Sequence, residues 1–174
     1  MEHLIEKAKQ IRLLILDVDG VLTTGNLVYT KKDIHYKSFY VHDGLGIKLL
    51  QKSGVLVGII TTCKSAIIQR RAQDLGIQHI YAGYENKLTP YQDLKQKLSL
   101  QDQEIAYVGD DLPDLPLIRR VGLGMTVANA PSLLQQKAAY VSKASGGLGA
   151  VREICEFIMQ AQGTYSDIIE AYLQ

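Results

Sequence analysis

The stretch from Ile11 to Gly20 does most to restrict the fold. Ile11 and Leu13-Leu14-Ile15-Leu16 lead into Asp17-Val18-Asp19, and Gly20 turns the chain. An apolar run of this length bounded by glycine reads as a strand buried on both faces, the kind that builds parallel sheets. Its acids then fall where the strand ends, and open α/β sheets bind ligands outside the carboxyl ends of their strands. Two carboxylates on either side of one residue repel each other and need a cation or a proton to coexist. That arrangement is poor for stability and suited to a metal-assisted site.

The rest of the chain repeats the strand-then-helix pattern. After the first strand, residues 11–17, further strands are predicted over Val55 to Thr61, His79 to Ala82, Glu104 to Val108, Leu123 to Ala128 and Ala139 to Val141. Helices are predicted over the first ten residues, from His42-Asp43-Gly44 to about Lys52 with Asp43 as N-cap, and from Ala66 to about Leu75 with Ser65 as cap and Gly76 as stop. Others cover about 88–98, 113–120, a segment after Pro131, about 149–161 and about 166–173. Strands alternating with helices predict a parallel sheet covered on both faces, and 174 residues suit a single domain over 1–174. Residues 24–41, rich in Tyr, Val, Ile and Thr and interrupted by Lys31-Lys32-Asp33, read as a β-hairpin inserted after strand one. A two-stranded hairpin is marginal alone in water, so its Tyr29, Tyr36 and Tyr40 predict a contact surface.

Composition narrows the function classes. Apolar residues are 47% of the chain and the formal net charge is +1, with no basic block. A large core is therefore expected, and nucleic acid or an anionic membrane is a poor principal partner. No apolar run is long enough to span a bilayer, and the first ten residues lack the order of a signal peptide. Cys63 and Cys155 have no metal-ligand spacing and suggest no disulfide framework. A cytoplasmic soluble protein is the expectation.

Four features follow strands and can converge at one sheet edge: Asp17 with Asp19, Thr61, Lys87, and Asp110 with Asp111. They supply an anionic nucleophile, a divalent-metal site, a hydroxyl and a cation. Phosphoryl transfer needs that set, because charge on the transferred group must be neutralised and the attacking oxygen held in line. Mg²⁺ takes oxygen ligands, commonly one or two carboxylates with waters and substrate phosphate. Bland readings stand beside these. Asp110, Asp111 and Asp114 could be helix-capping and first-turn acids, Thr61 a β-branched strand end, and Lys87 a solvated lysine. Cys63 reads as a small packed thiol rather than a nucleophile.

Asp17-Val18-Asp19-Gly20, Thr61, Lys87 and Gly109-Asp110-Asp111 with Asp114 resemble, in that order and spacing, the four motifs of the haloacid dehalogenase (HAD) superfamily of phosphohydrolases. The resemblance implies a HAD-like (Rossmann-like) α/β fold. It implies that Asp17 attacks phosphorus and that Asp19 protonates the leaving alcohol and then activates water. Thr61 and Lys87 would hold the phosphate, with Mg²⁺ on Asp17, Asp19, Asp110 and Asp111. Phe39-Tyr40-Val41-His42-Asp43-Gly44, Asn86-Lys87-Leu88 and Gly146-Gly147-Leu148-Gly149 resemble one branch, the 3-deoxy-D-manno-octulosonate 8-phosphate (KDO 8-phosphate) phosphatases of lipopolysaccharide biosynthesis. That branch implies a hairpin insert without a large cap domain, a homotetramer, and a neighbour's C-terminal segment at the site. It also implies substrate contacts from Asp19, Tyr40, His42, Asp43, Gly44, Lys48, Thr62, Arg71 and Lys87.

The chain departs from that pattern. It has Thr62-Cys63 where the branch has Gly-Arg, and His42, Lys48 and Leu148 where the branch has Arg. Guanidinium suits a sugar-acid carboxylate, so either the substrate is another sugar phosphate, such as a nonulosonate 9-phosphate, or the same one is held by other contacts. Two other classes compete. A receiver-like module stores phosphate on an aspartate, but its acceptor is not followed by an acid two residues on. A scaffold without turnover has no need of all four motifs.

Overall fold

The computed structural model describes residues 2–29 and 36–173. Helix α1 (Glu2–Lys9) leads into β1 (Leu13–Leu16), whose four side chains are all fully buried. After the insert come α2 (Val41–Lys52), β2 (Leu56–Thr61), α3 (Ala66–Leu75), β3 (His79–Ala82) and α4 (Leu88–Lys97). The second half runs β4 (Ile105–Gly109), α5 (Leu115–Ile118), β5 (Leu123–Thr126), α6 (Ser132–Lys137), β6 (Tyr140–Val141), α7 (Ala150–Ala161) and α8 (Tyr165–Glu170). The strands form one parallel sheet in the order β3-β2-β1-β4-β5-β6.

Local chemistry explains the boundaries. The Ser65 hydroxyl accepts the Ile67 N–H at 3.2 Å to start α3, and Gly76 ends it with a left-handed φ of 72°. β1 pairs with β2 on one side and β4 on the other, Leu14 facing Val57 and Ala106. This central place accounts for its unbroken apolar run. The chain winds outward in opposite directions from β1, so the crevice opens at the carboxyl ends of β1 and β4.

Two expectations are corrected. Asp43 does not cap α2: the helix begins at Val41, and Tyr40 stands at its N-cap. The flanks of the expected hairpin, residues 24–29 and 36–40, carry no strand pairing among the described residues, and its tip, 30–35, lies outside them. Leu27 and Tyr29 are 73% and 86% exposed, so a two-stranded ribbon here buries too little of its own surface to hold itself together. No helix among the described residues is long and apolar enough to cross a membrane.

Candidate active site

Asp17 is the first residue beyond β1. Its N–H still donates to Val108 O at 3.0 Å, so the sheet ladder fixes the backbone that carries it. Thr61 ends β2, Lys87 is the N-cap residue of α4 and Asp110 follows β4. Asp17, Thr61 and Lys87 are each at least 95% buried, and Asp114 joins them at 2% exposure. Four elements separated in sequence thus deliver polar groups to one dry corner of the sheet.

Lys87 is the hub of that corner. Its Nζ donates to Asp17 Oδ1 at 2.7 Å and to Asp114 Oδ1 at 2.6 Å. Burial opposes the ammonium charge, but the two carboxylates outweigh burial and hold Lys87 above the ordinary lysine range. Asp17 is pushed up to about 7, first by burial and then by the Asp114 charge, against the pull of Lys87. One cation therefore serves two buried carboxylates, and the corner carries net negative charge.

Asp110 adds to it. Burial, with the charges of Asp114 and Asp111, raises this carboxyl to about 6. A Cβ on Gly20, which also has φ +89°, would overlap Asp110 Oδ2. The Asp110 carboxylate therefore rests against the turn that carries Asp17 and Asp19. Carboxylate oxygens of Asp17, Asp110 and Asp114 lie within 4.8 Å of one another. All-oxygen donors, excess negative charge and carboxyls raised by mutual repulsion fit a hard divalent cation such as Mg²⁺.

The acids divide differently from the expectation. Asp111 is exposed, and its carboxylate accepts the Leu112 N–H at 2.8 Å, capping the short 3₁₀ turn Leu112–Asp114. It does not join the cluster, because that capping bond holds it at the turn. Asp114 does join it, but with both oxygens engaged. Oδ1 accepts Lys87 and the Tyr107 hydroxyl, the latter at 2.5 Å, and Oδ2 accepts the N–H groups of Asp110 and Asp111 at 3.0 and 3.2 Å. Asp17 and Asp110 are thus the carboxylates left to hold a cation.

A cavity of about 530 Å³ opens beside Asp19, two residues beyond Asp17, and the buried cluster itself does not line it. Asp19, Thr23, Lys37, Cys63, Lys64 and Ser65 are among its lining residues. The Lys37 ammonium reaches from the insert to Asp19 Oδ1. Thr61 Oγ1 accepts the Cys63 N–H at 3.2 Å, which leaves its own O–H to donate. Neither Lys37 nor Lys64 stood out in the sequence, because a lysine in a polar loop has no pattern that marks it. Tyr107 did leave a signal: a phenol in a wholly buried strand needs a partner for its hydroxyl.

Several expected substrate contacts lie elsewhere. Asp43 is 1% exposed, and its carboxylate accepts the N–H groups of Gly149 and Arg152 at 3.3 and 2.8 Å, capping α7. Burial raises this carboxyl despite those N–H groups, and none of its surface faces the cavity. Gly44 is buried in α2, where a Cβ would come within 2.5 Å of Arg71 Nη2. Arg71 itself lies over the Phe39 ring at 5.4 Å. Tyr40 and His42 face each other with ring centroids 4.8 Å apart, and His42, Lys48 and Thr62 are exposed. None of these seven lines the cavity.

The glycine-rich segment instead braces the first acidic turn. Gly147 N–H donates to Val21 O at 2.8 Å, and a Cβ on Gly146 would overlap Gly20 O. Asn129 Oδ1 holds Gly146 N–H at 2.9 Å. Glu153 accepts the N–H groups of Lys143 and Ala144 and the Tyr140 hydroxyl.

The chain is similar to known proteins. Residues 60–154 match the haloacid dehalogenase-like hydrolase family. The chain is 46% identical to the 3-deoxy-D-manno-octulosonate 8-phosphate phosphatase KdsC of Salmonella typhi over 161 residues, 92% of this chain and 86% of that protein. It is 46% identical to the protein of the same name from Escherichia coli K12 over 159 residues, 91% and 85% of the two chains. The crystal structure of 3-deoxy-D-manno-octulosonate 8-phosphate phosphatase from Moraxella catarrhalis, in complex with magnesium ion, phosphate ion and KDO, superposes with a TM-score of 0.96. Identity is 42%, and the match covers 99% of each chain.

Proposed function

The chain belongs to the haloacid dehalogenase-like hydrolases, among the KDO 8-phosphate phosphatases, and from that premise we propose that it hydrolyses KDO 8-phosphate to the free sugar acid and phosphate. It is a Mg²⁺-dependent phosphatase. The observation that carries the reading is the sharing of Lys87 between Asp17 and Asp114 beside Asp110, at the carboxyl ends of β1 and β4.

The residues divide the work as follows. Lys87 holds Asp17 Oδ1, which leaves Oδ2 to attack phosphorus. The P–O bond to the sugar breaks as the new Asp17–phosphorus bond forms. Asp19, on the cavity wall, gives its proton to the departing sugar oxygen. The resulting carboxylate then takes a proton from water, whose oxygen attacks phosphorus and frees Asp17. Thr61 donates its O–H to a phosphoryl oxygen, and Lys87 offsets charge on the transferring group. Asp17 and Asp110, with the Asp19 carbonyl, would hold Mg²⁺, with Asp111 assisting through water. The metal supplies charge neutralisation at the phosphoryl oxygens. The sugar lies in the cavity between the insert and the start of α3.

His42, Lys48, Cys63 and Leu148, which stand where the branch has arginine, are the reason to keep a second substrate, another sugar-acid phosphate such as a nonulosonate 9-phosphate. Both readings place a carboxylated sugar beside Lys37 and Lys64. Tyr40, His42, Lys48, Thr62 and Arg71 would reach substrate only where a neighbouring copy completes the site. We propose a homotetramer built on the insert, where Leu27, Tyr29 and Tyr36 stand exposed. We assign the protein to the cytoplasm, in keeping with the free thiols of Cys63 and Cys155.

The test is a phosphate-release screen with and without Mg²⁺. Its panel sets KDO 8-phosphate and nonulosonate 9-phosphates against neutral sugar phosphates of matched size. The expected result is Mg²⁺-dependent turnover that favours KDO 8-phosphate. Equal turnover of neutral sugars, or turnover indifferent to Mg²⁺ after chelation, overturns the reading.

A further inference from the structure

We propose that Tyr107 is a positioning residue for phosphoryl transfer: its hydroxyl occupies Asp114 so that Lys87 stays shared with Asp17. The proposal rests on the phosphatase reading above. Tyr107 lies within β4 and has no exposed surface. An aliphatic residue would fill a strand position there without any need of a partner. A phenol must find one or lose a hydrogen bond.

Its partner is the oxygen that also binds the hub. Tyr107 O–H donates to Asp114 Oδ1 at 2.5 Å, and Lys87 Nζ donates to the same oxygen at 2.6 Å. The other Asp114 oxygen is committed to the backbone N–H groups of Asp110 and Asp111. Lys87 Nζ stands only 2.7 Å from Asp17 Oδ1, so two carboxylates compete for one ammonium. Each donor on Asp114 Oδ1 takes up part of its charge and weakens its hold on the next. With the phenol removed, Lys87 becomes the only side-chain donor on that oxygen among the described residues. The ammonium is then drawn to Asp114 and away from Asp17.

The phenol is a dependable donor. Burial, with the charges of Asp114 and Asp17, holds it far above the usual tyrosine range, so it stays protonated wherever the enzyme works. Tyr107 touches no substrate. It acts through Asp114 on Lys87, and through Lys87 on the nucleophile, so its influence is the same for every ester the enzyme takes.

Tyr107→Phe removes one oxygen and keeps the ring. Two esters are assayed with Mg²⁺, KDO 8-phosphate and p-nitrophenyl phosphate. We expect kcat to fall about tenfold with both while KM stays within about twofold, because the lost interaction is spent on the chemical step rather than on binding. A ring-fluorinated tyrosine placed at 107 keeps the hydroxyl, and we expect it to restore kcat to within about twofold of wild type. The fluorinated arm also covers the case in which Tyr107→Phe folds poorly. A kcat left unchanged by Tyr107→Phe overturns the proposal. So does a change confined to KM, or a fluorinated variant as slow as Tyr107→Phe. Wild-type turnover of p-nitrophenyl phosphate without turnover of KDO 8-phosphate removes the substrate reading and leaves Tyr107 to be judged on p-nitrophenyl phosphate. No turnover of either overturns both.

Discussion

The Asp43 carboxylate accepts the backbone N–H of Arg152 at 2.8 Å, across 109 positions of sequence. A side chain near the start of α2 thus caps α7, and α7 follows the glycine-rich segment that braces the Asp17–Gly20 turn. Asp43→Ala leaves two part-buried N–H groups without their partner. We expect a loss of about 1–2 kcal/mol in urea unfolding, the usual range for a lost helix cap. Phosphate release should fall as well, without any direct contact between residue 43 and substrate. An unfolding midpoint equal to wild type would show that the cap contributes nothing.

Asp17→Asn keeps the shape of the nucleophile and removes its charge. Lys87 retains Asp114, so the buried ammonium stays paired. We expect phosphate release to drop by a factor on the order of 10³ or more, with a two-state unfolding transition retained. Turnover near wild type in purified variant would remove Asp17 from its assigned role.

The acids also set the pH dependence of stability. Asp17 and Asp110 are raised to about 7 and about 6, so these two groups bind more protons in the folded protein than in the unfolded chain between about pH 4 and pH 7. The contribution of these groups is complete below the ordinary carboxyl range and is lost as pH rises through the raised values. Metal-free protein should therefore melt at a lower temperature at about pH 7.5 than at about pH 5.5. Mg²⁺ binds the ionised acids, so its stabilisation should be larger at the higher pH. Melting scans at both pH values, with Mg²⁺ and with chelator, read both signs. A Mg²⁺ effect that is greater in acid would contradict the cluster as a cation site.

Gly20→Ala tests the fit of Asp110 against the first turn. The new methyl overlaps Asp110 Oδ2, and a φ of +89° is strained for any residue with a Cβ. We expect the Mg²⁺ concentration for half-maximal activity to rise about tenfold or more, with a stability loss of about 1–3 kcal/mol. Titration of activity against Mg²⁺ separates the two effects.

Lys37→Met removes the cation that the insert brings to Asp19. The pair is partly exposed, so its removal should change unfolding free energy by less than about 1 kcal/mol. KM for an acidic sugar phosphate should rise about tenfold, the equivalent of one charge-assisted hydrogen bond. Neutral sugar phosphates should be affected less. Equal effects on both classes would place Lys37 on the phosphoryl group or on proton transfer by Asp19 rather than on the sugar.

The sequence made the sheet legible because a strand buried on both faces has to be apolar throughout, as Leu13 to Leu16 are. It made Asp17, Thr61, Lys87 and Asp110 legible because each stands at the end of such a strand, one step beyond it, or at a helix start. The reading was weaker wherever a side chain's role depends on a partner remote in sequence. Asp43 has the local look of a cap for its own helix, and only the fold shows that it caps α7. Asp111 and Asp114 sit three apart in one acidic turn, and burial alone decides that Asp114 faces Lys87 while Asp111 faces solvent. Lys37 lies in the insert, where no periodicity constrains the direction of a side chain.

The contact of Gly146 and Gly147 with the first acidic turn bears on how the protein comes into being on the ribosome. The nucleophile is made early, but the backbone that braces its turn is made late, and α7 must emerge before Asp43 can lock that brace in place. A nascent chain halted after β5 would carry Asp17, Lys87 and Asp110 and still hold them in an unbraced loop. Activity should therefore arrive with the last fifth of the chain, as a late and abrupt step in synthesis, rather than grow with the sheet.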